Sequence, residues 1–164
     1  MPLVPDAVTL KQKFADLPVT QYSAGEDVLT AGTRTGRLLV LKSGAVEVVK
    51  DGVQIAKVST PGAMFGEMSV LLDQPHSADV RALEQSEFHI AKASTLLAND
   101  ATMALCIAAI LARRLDSANQ ALIEVRRQLQ ADDPRSAIDR AVKKVERVLS
   151  LPALFAVMSR GDEF

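Results

Sequence analysis

The sequence predicts an α+β fold: an antiparallel, jelly-roll-like β-roll of about eight short strands, led by a short helix and followed by long C-terminal helices. Three observations carry this reading. Between Val19 and Ala91, short β-branched and aliphatic runs are cut at regular intervals by Ala24-Gly25, Ala31-Gly32, Ser43-Gly44, Asp51-Gly52 and Pro61-Gly62, and such turn spacing marks sandwiches and barrels. Beyond Ala91 the period changes: Leu111, Leu115, Ala118, Leu122, Val125 and Leu129 alternate spacings of four and three residues, as on one helix face. The 164 residues are 48% hydrophobic with a formal charge of -1, which suits one core with an added helical segment and excludes a disordered chain.

Each element has a local cause. Residues 6–16 place Val8, Leu10 and Phe14 among polar positions after Pro5-Asp6, with Pro18 closing the segment, so a short leading helix is expected. The clearest hairpin joins Ala45–Lys50 to Val53–Ser59 through Asp51-Gly52, a pair suited to the two positive φ angles of a type I′ turn. Val46 and Val48 then point to one face and Glu47 and Val49 to the other, while Ile55 with Val58 breaks the alternation and calls for a bulge or a strand buried on both sides. Further strands are expected at Asp27–Ala31, Arg37–Lys42, Ser77–Ala82 and Ser86–Ala91. Ser94 or Thr95 is the expected cap of a short helix, and Asn99-Asp100 that of a long one reaching about Gln130.

A helix of about 30 residues extends roughly 45 Å, more than a domain of this size covers alone. The seam of Leu111, Leu115, Ala118, Leu122, Val125 and Leu129 is therefore expected to make a homodimer, the alternative being that this face lies on the chain's own β-roll. Asp132-Asp133-Pro134 breaks the helix and opens another, with Ile138, Val142, Val145 and Leu149 as its stripe. The organisation expected is a β-roll with flanking helices and dimer helix over 1–130 and a helical extension over 131–164.

Several function classes are excluded or disfavoured by composition. The charge gives no global reason to expect nucleic acid. The tail beyond Gln130 lacks two short helices joined by a glycine turn, and its basic set of Arg135, Arg140, Lys143, Lys144 and Arg147 is interspersed with Asp139 and Glu146, so no DNA contact is expected. Cys106 is the only cysteine, which rules out an internal disulfide and a thiolate zinc cluster. No apolar run approaches the length of a membrane span and the amino terminus lacks the pattern of a signal peptide, so the expected location is cytoplasmic. There is no nucleophile with a base partner, no paired catalytic carboxylates and no metal-ligand cluster; the expected role is not enzymatic.

The informative motif is Gly62-Ala63-Met64-Phe65-Gly66-Glu67-Met68-Ser69-Val70-Leu71-Leu72, followed by Pro75-His76-Ser77-Ala78-Asp79-Val80-Arg81-Ala82. Gly66 lets backbone approach a ligand, and a short helix from about Glu67 to Leu72 aims free N–H groups at an anion. With Gly25, Gly32 and Gly44 at strand turns and Ala112-Arg113-Arg114-Leu115 on the long helix, this run resembles the cyclic-nucleotide-binding domain family, of the catabolite activator and protein kinase A regulatory subunit type, over about residues 14–122. The resemblance implies that Phe65, Gly66, Glu67, Met68, Ser69, His76, Ser77 and Ala78 form a ligand-binding cassette for cAMP or cGMP, with no metal. In it Glu67 accepts a hydrogen bond from the ribose 2′-hydroxyl, and Ser77 and Ala78 help hold the cyclic phosphate. It also places Asn119, after Ala118, where family members contact the purine, sometimes from the other subunit.

One position departs from the family. Members that bind cyclic nucleotides usually carry arginine where this chain has His76, and imidazole lacks the guanidinium fork. Each charged hydrogen bond lost is worth roughly 1.5 to 3 kcal/mol, one to a few powers of ten in affinity. Strand alternation puts His76, Ala78 and Val80 on one face and Ser77, Asp79 and Arg81 on the other, so Arg81 is not expected to substitute. A nearby phosphate is expected to favour protonated His76 and so to strengthen binding in acid. His89 is expected to face solvent.

Two functions stay open. The chain is either a cyclic-nucleotide sensor that relays occupancy through the long helix to an effector protein, or a ligand-independent dimerisation or docking module with a degenerate pocket. A transcription regulator is the lesser alternative.

Overall fold

The computed structural model describes residues 12–129 and residues 138, 140, 142 and 143. The boundary at 130, nearly all of the extension 131–164 and the start of the leading helix lie outside the described residues. Residues 12–15 are the described part of that helix, α1. Eight strands follow in two antiparallel sheets: β1 Val19–Tyr22, β8 Ser86–Lys92, β3 Arg37–Ser43 and β6 Met64–Phe65 in one; β2 Asp27–Leu29, β7 Asp79–Ala82, β4 Val46–Lys50 and β5 Val53–Val58 in the other. The helices are α2 Glu67–Leu71, α3 Ala93–Asn99 and α4 Ala101–Leu129.

The expected hairpin is present, with Asp51 at φ 51° and Gly52 at φ 77°. Its register passes from Val48↔Ala56 to Val49↔Gln54, so Ile55 is the extra residue of the bulge that the broken alternation called for. The sheets face each other across Leu29, Leu39, Leu41, Val46, Val58, Val80 and Phe88, while Leu38, Val40 and Met64 turn the other way onto Phe14, Met103, Cys106, Ile107 and Ile110. The run Leu38–Leu41 is apolar throughout because β3 is buried on both faces, by the second sheet and by the helices.

Some boundaries differ from expectation. Two short strands, β1 and β6, stand beyond those the sequence picks out, and β2 and β7 are shorter than expected. Ser94 and Thr95 are not caps: β8 runs straight into α3, whose cap position is Lys92 without a side-chain bond, and the Ala93 amide donates to the Gly36 carbonyl at 3.0 Å. Asp100 does cap α4, its carboxylate accepting from the amides of Thr102 at 3.0 Å and Met103 at 3.4 Å. The chain turns by 110° there, and no single helix among the described residues is long and apolar enough to cross a membrane. His89 does not face solvent; it is half-buried and its Nδ1 lacks a hydrogen-bond partner.

The seam along α4 divides. Leu111 packs against the chain's own helix-side core, so that core extends further along α4 than the seam reading assumed. Leu115 and Leu122 are 63% and 68% exposed.

Candidate functional site

The site is built where β6 breaks off the roll. Phe65 is buried against Phe88, edge to face with ring centres 6.0 Å apart. Gly66 follows at φ 86°, and a Cβ there would stand 2.5 Å from the Arg37 carbonyl oxygen. Only glycine fits both the left-handed backbone and that contact. Gly66 is also the cap position of α2 and supplies no side-chain bond, so the first amides of α2 have no side-chain acceptor.

Glu67 opens α2 and is 4% exposed. Its carboxylate accepts a hydrogen bond from Nη1 of Arg114, which reaches in from α4, and Arg114 Nη2 donates to the Met64 carbonyl at 3.0 Å. The Arg114 side chain is 14% exposed, and its buried Nε has no partner among the described residues. A carboxylate this buried needs a paired charge, and the arginine provides one.

The return of the cassette is held by backbone. Ser69 Oγ donates to the Gln74 carbonyl at 2.6 Å, and the Gln74 amide donates to the Ser69 carbonyl at 3.0 Å. The His76 amide donates to Thr33 O at 2.8 Å and its carbonyl accepts from the Gly32 amide at 2.9 Å, which clamps the segment to the turn after β2. His76 is 6% exposed, with its Nε2 3.0 Å from Thr35 Oγ1. Burial pushes its pKa below the ordinary value, and the neighbouring Glu67 carboxylate opposes this more weakly. Without an anion beside it the imidazole is therefore mainly neutral near pH 7, because burial penalises its charged form.

Phe65, Gly66, Glu67, Met68, Ser69, His76, Ser77 and Ala78 all line one pocket. Ser77 lies on it beside His76 and Ala78 because the strand begins only at Asp79, so alternation does not apply to that stretch. Arg81 is elsewhere, as its strand position predicts, paired with Asp27 at 2.8 Å on the surface. Asn119 does not line the pocket. Five residues beyond Arg114, it is turned about 140° around α4 and exposed.

Arg114 is the residue that sequence reasoning missed. Among the described residues lining the pocket, it is the only lysine or arginine and Glu67 the only acid. A signal was available: Met103, Ile107, Ile110 and Arg114 follow spacings of four, three and four, so this arginine continues the buried stripe of α4, where a charge requires a partner.

Residues 19–98 match the family model of the cyclic nucleotide-binding domain. The cAMP-dependent protein kinase regulatory subunit of Yarrowia lipolytica is 38% identical over 79 residues, which cover 48% of this chain and 21% of that protein. Glutaminase 1 of Bradyrhizobium diazoefficiens is 46% identical over 65 residues, covering 39% of this chain and 10% of that one. The chain thus spans about a fifth or less of the length of these two relatives. The catabolite activator protein of Thermus thermophilus has a similar fold, with a TM-score of 0.58 at 24% identity over 90% of this chain and 82% of that one.

Proposed function

Residues 19–98 belong to the cyclic nucleotide-binding domain family, and on that premise we propose that the chain is a non-enzymatic sensing module that binds cAMP or cGMP in the cassette 65–78. The observation that carries the reading is convergence: all eight cassette residues line one pocket around a buried, paired carboxylate. Glu67 receives the ribose hydroxyl, the uncapped amides of α2 and the segment Ser77-Ala78 face the cyclic phosphate, and the roll residues Leu29, Val48, Ile55 and Val80 supply apolar surface.

The relay to an effector protein runs through α4. This helix holds Arg114 in the pocket and, one residue later, presents Leu115 to solvent. A ligand moves α4 only by binding two of its arrangements unequally. The exposed Leu115 and Leu122 support a homodimer along this face. A sizing measurement at high micromolar concentration is expected to give twice the chain mass, and a monomer there would remove the dimer.

His76 favours the second reading, a docking module that has lost its ligand, because a neutral imidazole stands where the family places a cation. Calorimetric titration with cAMP, cGMP and a cyclic dinucleotide, on the native chain and on His76→Arg, separates the two. The sensor reading expects saturable heat with a cyclic mononucleotide, strengthened roughly tenfold or more in His76→Arg. No heat from either protein at millimolar ligand leaves the docking module.

A further inference from the structure

An anion entering this pocket leaves water and must find charge inside it. Within the roll no candidate is in place. His76 is neutral and bonded to Thr35, Arg81 pairs with Asp27, and Arg34 pairs with Asp73 at 2.7 Å. Neither Arg81 nor Arg34 lines the pocket.

Arg114 does line it, and its bonding is incomplete. A guanidinium carries five N–H donors. One reaches Glu67 and one the Met64 carbonyl, whereas Nε is buried without an acceptor. A buried donor left unmade is costly, and an oxyanion beside it would satisfy it. Glu67, Arg114 and His76 also stand close together, since the Glu67 carboxylate acts on the His76 ring and Arg114 holds that carboxylate.

We infer that Arg114 is the group that neutralises the anion of a ligand in this pocket. The inference rests on the reading of the cassette as a cyclic-nucleotide site. It moves the countercharge from the roll to α4, so that the charge of the ligand bears directly on the helix that leaves the domain. Glu67 then competes with the ligand for the same guanidinium while also serving the ribose.

The test compares cAMP with adenosine, which keeps base and ribose and lacks the anion. Affinities are measured by calorimetry for the native chain, Glu67→Gln, Glu67→Gln/Arg114→Gln, and the latter with His76→Arg added; circular dichroism verifies folding. The double variant leaves no buried charge unpaired. The native chain is expected to prefer cAMP by roughly tenfold or more, a preference that Glu67→Gln retains. The double variant is expected to bring the ratio to within about threefold of unity, and His76→Arg to restore it.

A preference that survives the double variant would overturn the inference. So would equal weakening of both ligands without rescue by His76→Arg, which would make Arg114 a positioning residue for Glu67. If only proteins carrying His76→Arg bind cAMP, Arg114 does not suffice and the inference fails while the pocket assignment stands. If none binds either ligand, the sensor reading itself falls and the inference with it.

Discussion

The two walls of the pocket are built differently. One wall, Gly66-Glu67 with Arg114, carries full charges in near-complete burial and is fixed by a backbone contact that tolerates no side chain. The other, His76 to Ala78, is uncharged and held by main-chain bonds to the turn after β2 and by one ring contact to Thr35. Charge buried in a protein costs heavily when its partner is removed, whereas a neutral group bonded mainly through backbone costs less. The first wall is thus a fixed fixture, and the second is where chemistry can change without undoing the fold.

The largest effect that tests this contrast comes from Glu67→Ala. Arg114 would be left buried without its countercharge, and the loss is expected to be about 3 to 5 kcal/mol. His76→Ala, on the opposite wall, forfeits one ring contact and some packing, and about 1 to 2 kcal/mol is expected. Urea unfolding of both variants measures the difference. Equal losses would mean that the walls are alike.

Gly66→Ala comes next. It forces a left-handed residue, worth about 1 to 2 kcal/mol, and pushes a methyl group onto the Arg37 carbonyl. About 2 kcal/mol or more is expected, together with weakened cyclic-nucleotide binding. Gly25→Ala is the matched control: Gly25 has the same φ of 86° but nothing within 4 Å of the added carbon. It is expected to cost only the backbone strain. A Gly25 variant as unstable as the Gly66 variant would show that close approach to Arg37 contributes nothing.

The contrast also explains what could be read in advance. The hairpin at Asp51-Gly52 and the Asp100 cap were legible because both are decided within a few residues. The cassette was legible because its glycine, acid and small residues lie in one contiguous run. β6 was not, since two residues carry no period and are strand only by pairing with β3. Ser94 and Thr95 drew the wrong cap because their residue type suits a cap, whereas the tertiary run from β8 into α3 leaves no room for one. Arg114 was the main omission. Its partner Glu67 is distant in sequence, and the stripe through Met103, Ile107 and Ile110 identifies it only when a charged residue on an apolar face is read as a demand for a partner.

The smallest effect concerns pH, and it separates the walls most cleanly. Burial holds the His76 pKa below its ordinary value of 6.5, so the unfolded chain takes up this proton before the folded one does. The contribution to stability is fully present above about pH 6.5 and is lost as the pH falls from there toward the folded-state value. Urea midpoints of the native chain, relative to His76→Gln, are therefore expected to fall between pH 7 and 5, no more steeply than about 1.4 kcal/mol per pH unit. Ligand binding gives the complementary reading. A site neutralised by Arg114, whose charge is permanent, keeps its affinity for cAMP nearly level from pH 8 to 6. A site that must first protonate His76 would gain up to about tenfold per pH unit. A level profile that turns steep only when Arg114 is replaced would assign the countercharge to α4 in the native protein and show that the neutral wall takes up a proton only when the charged wall is gone.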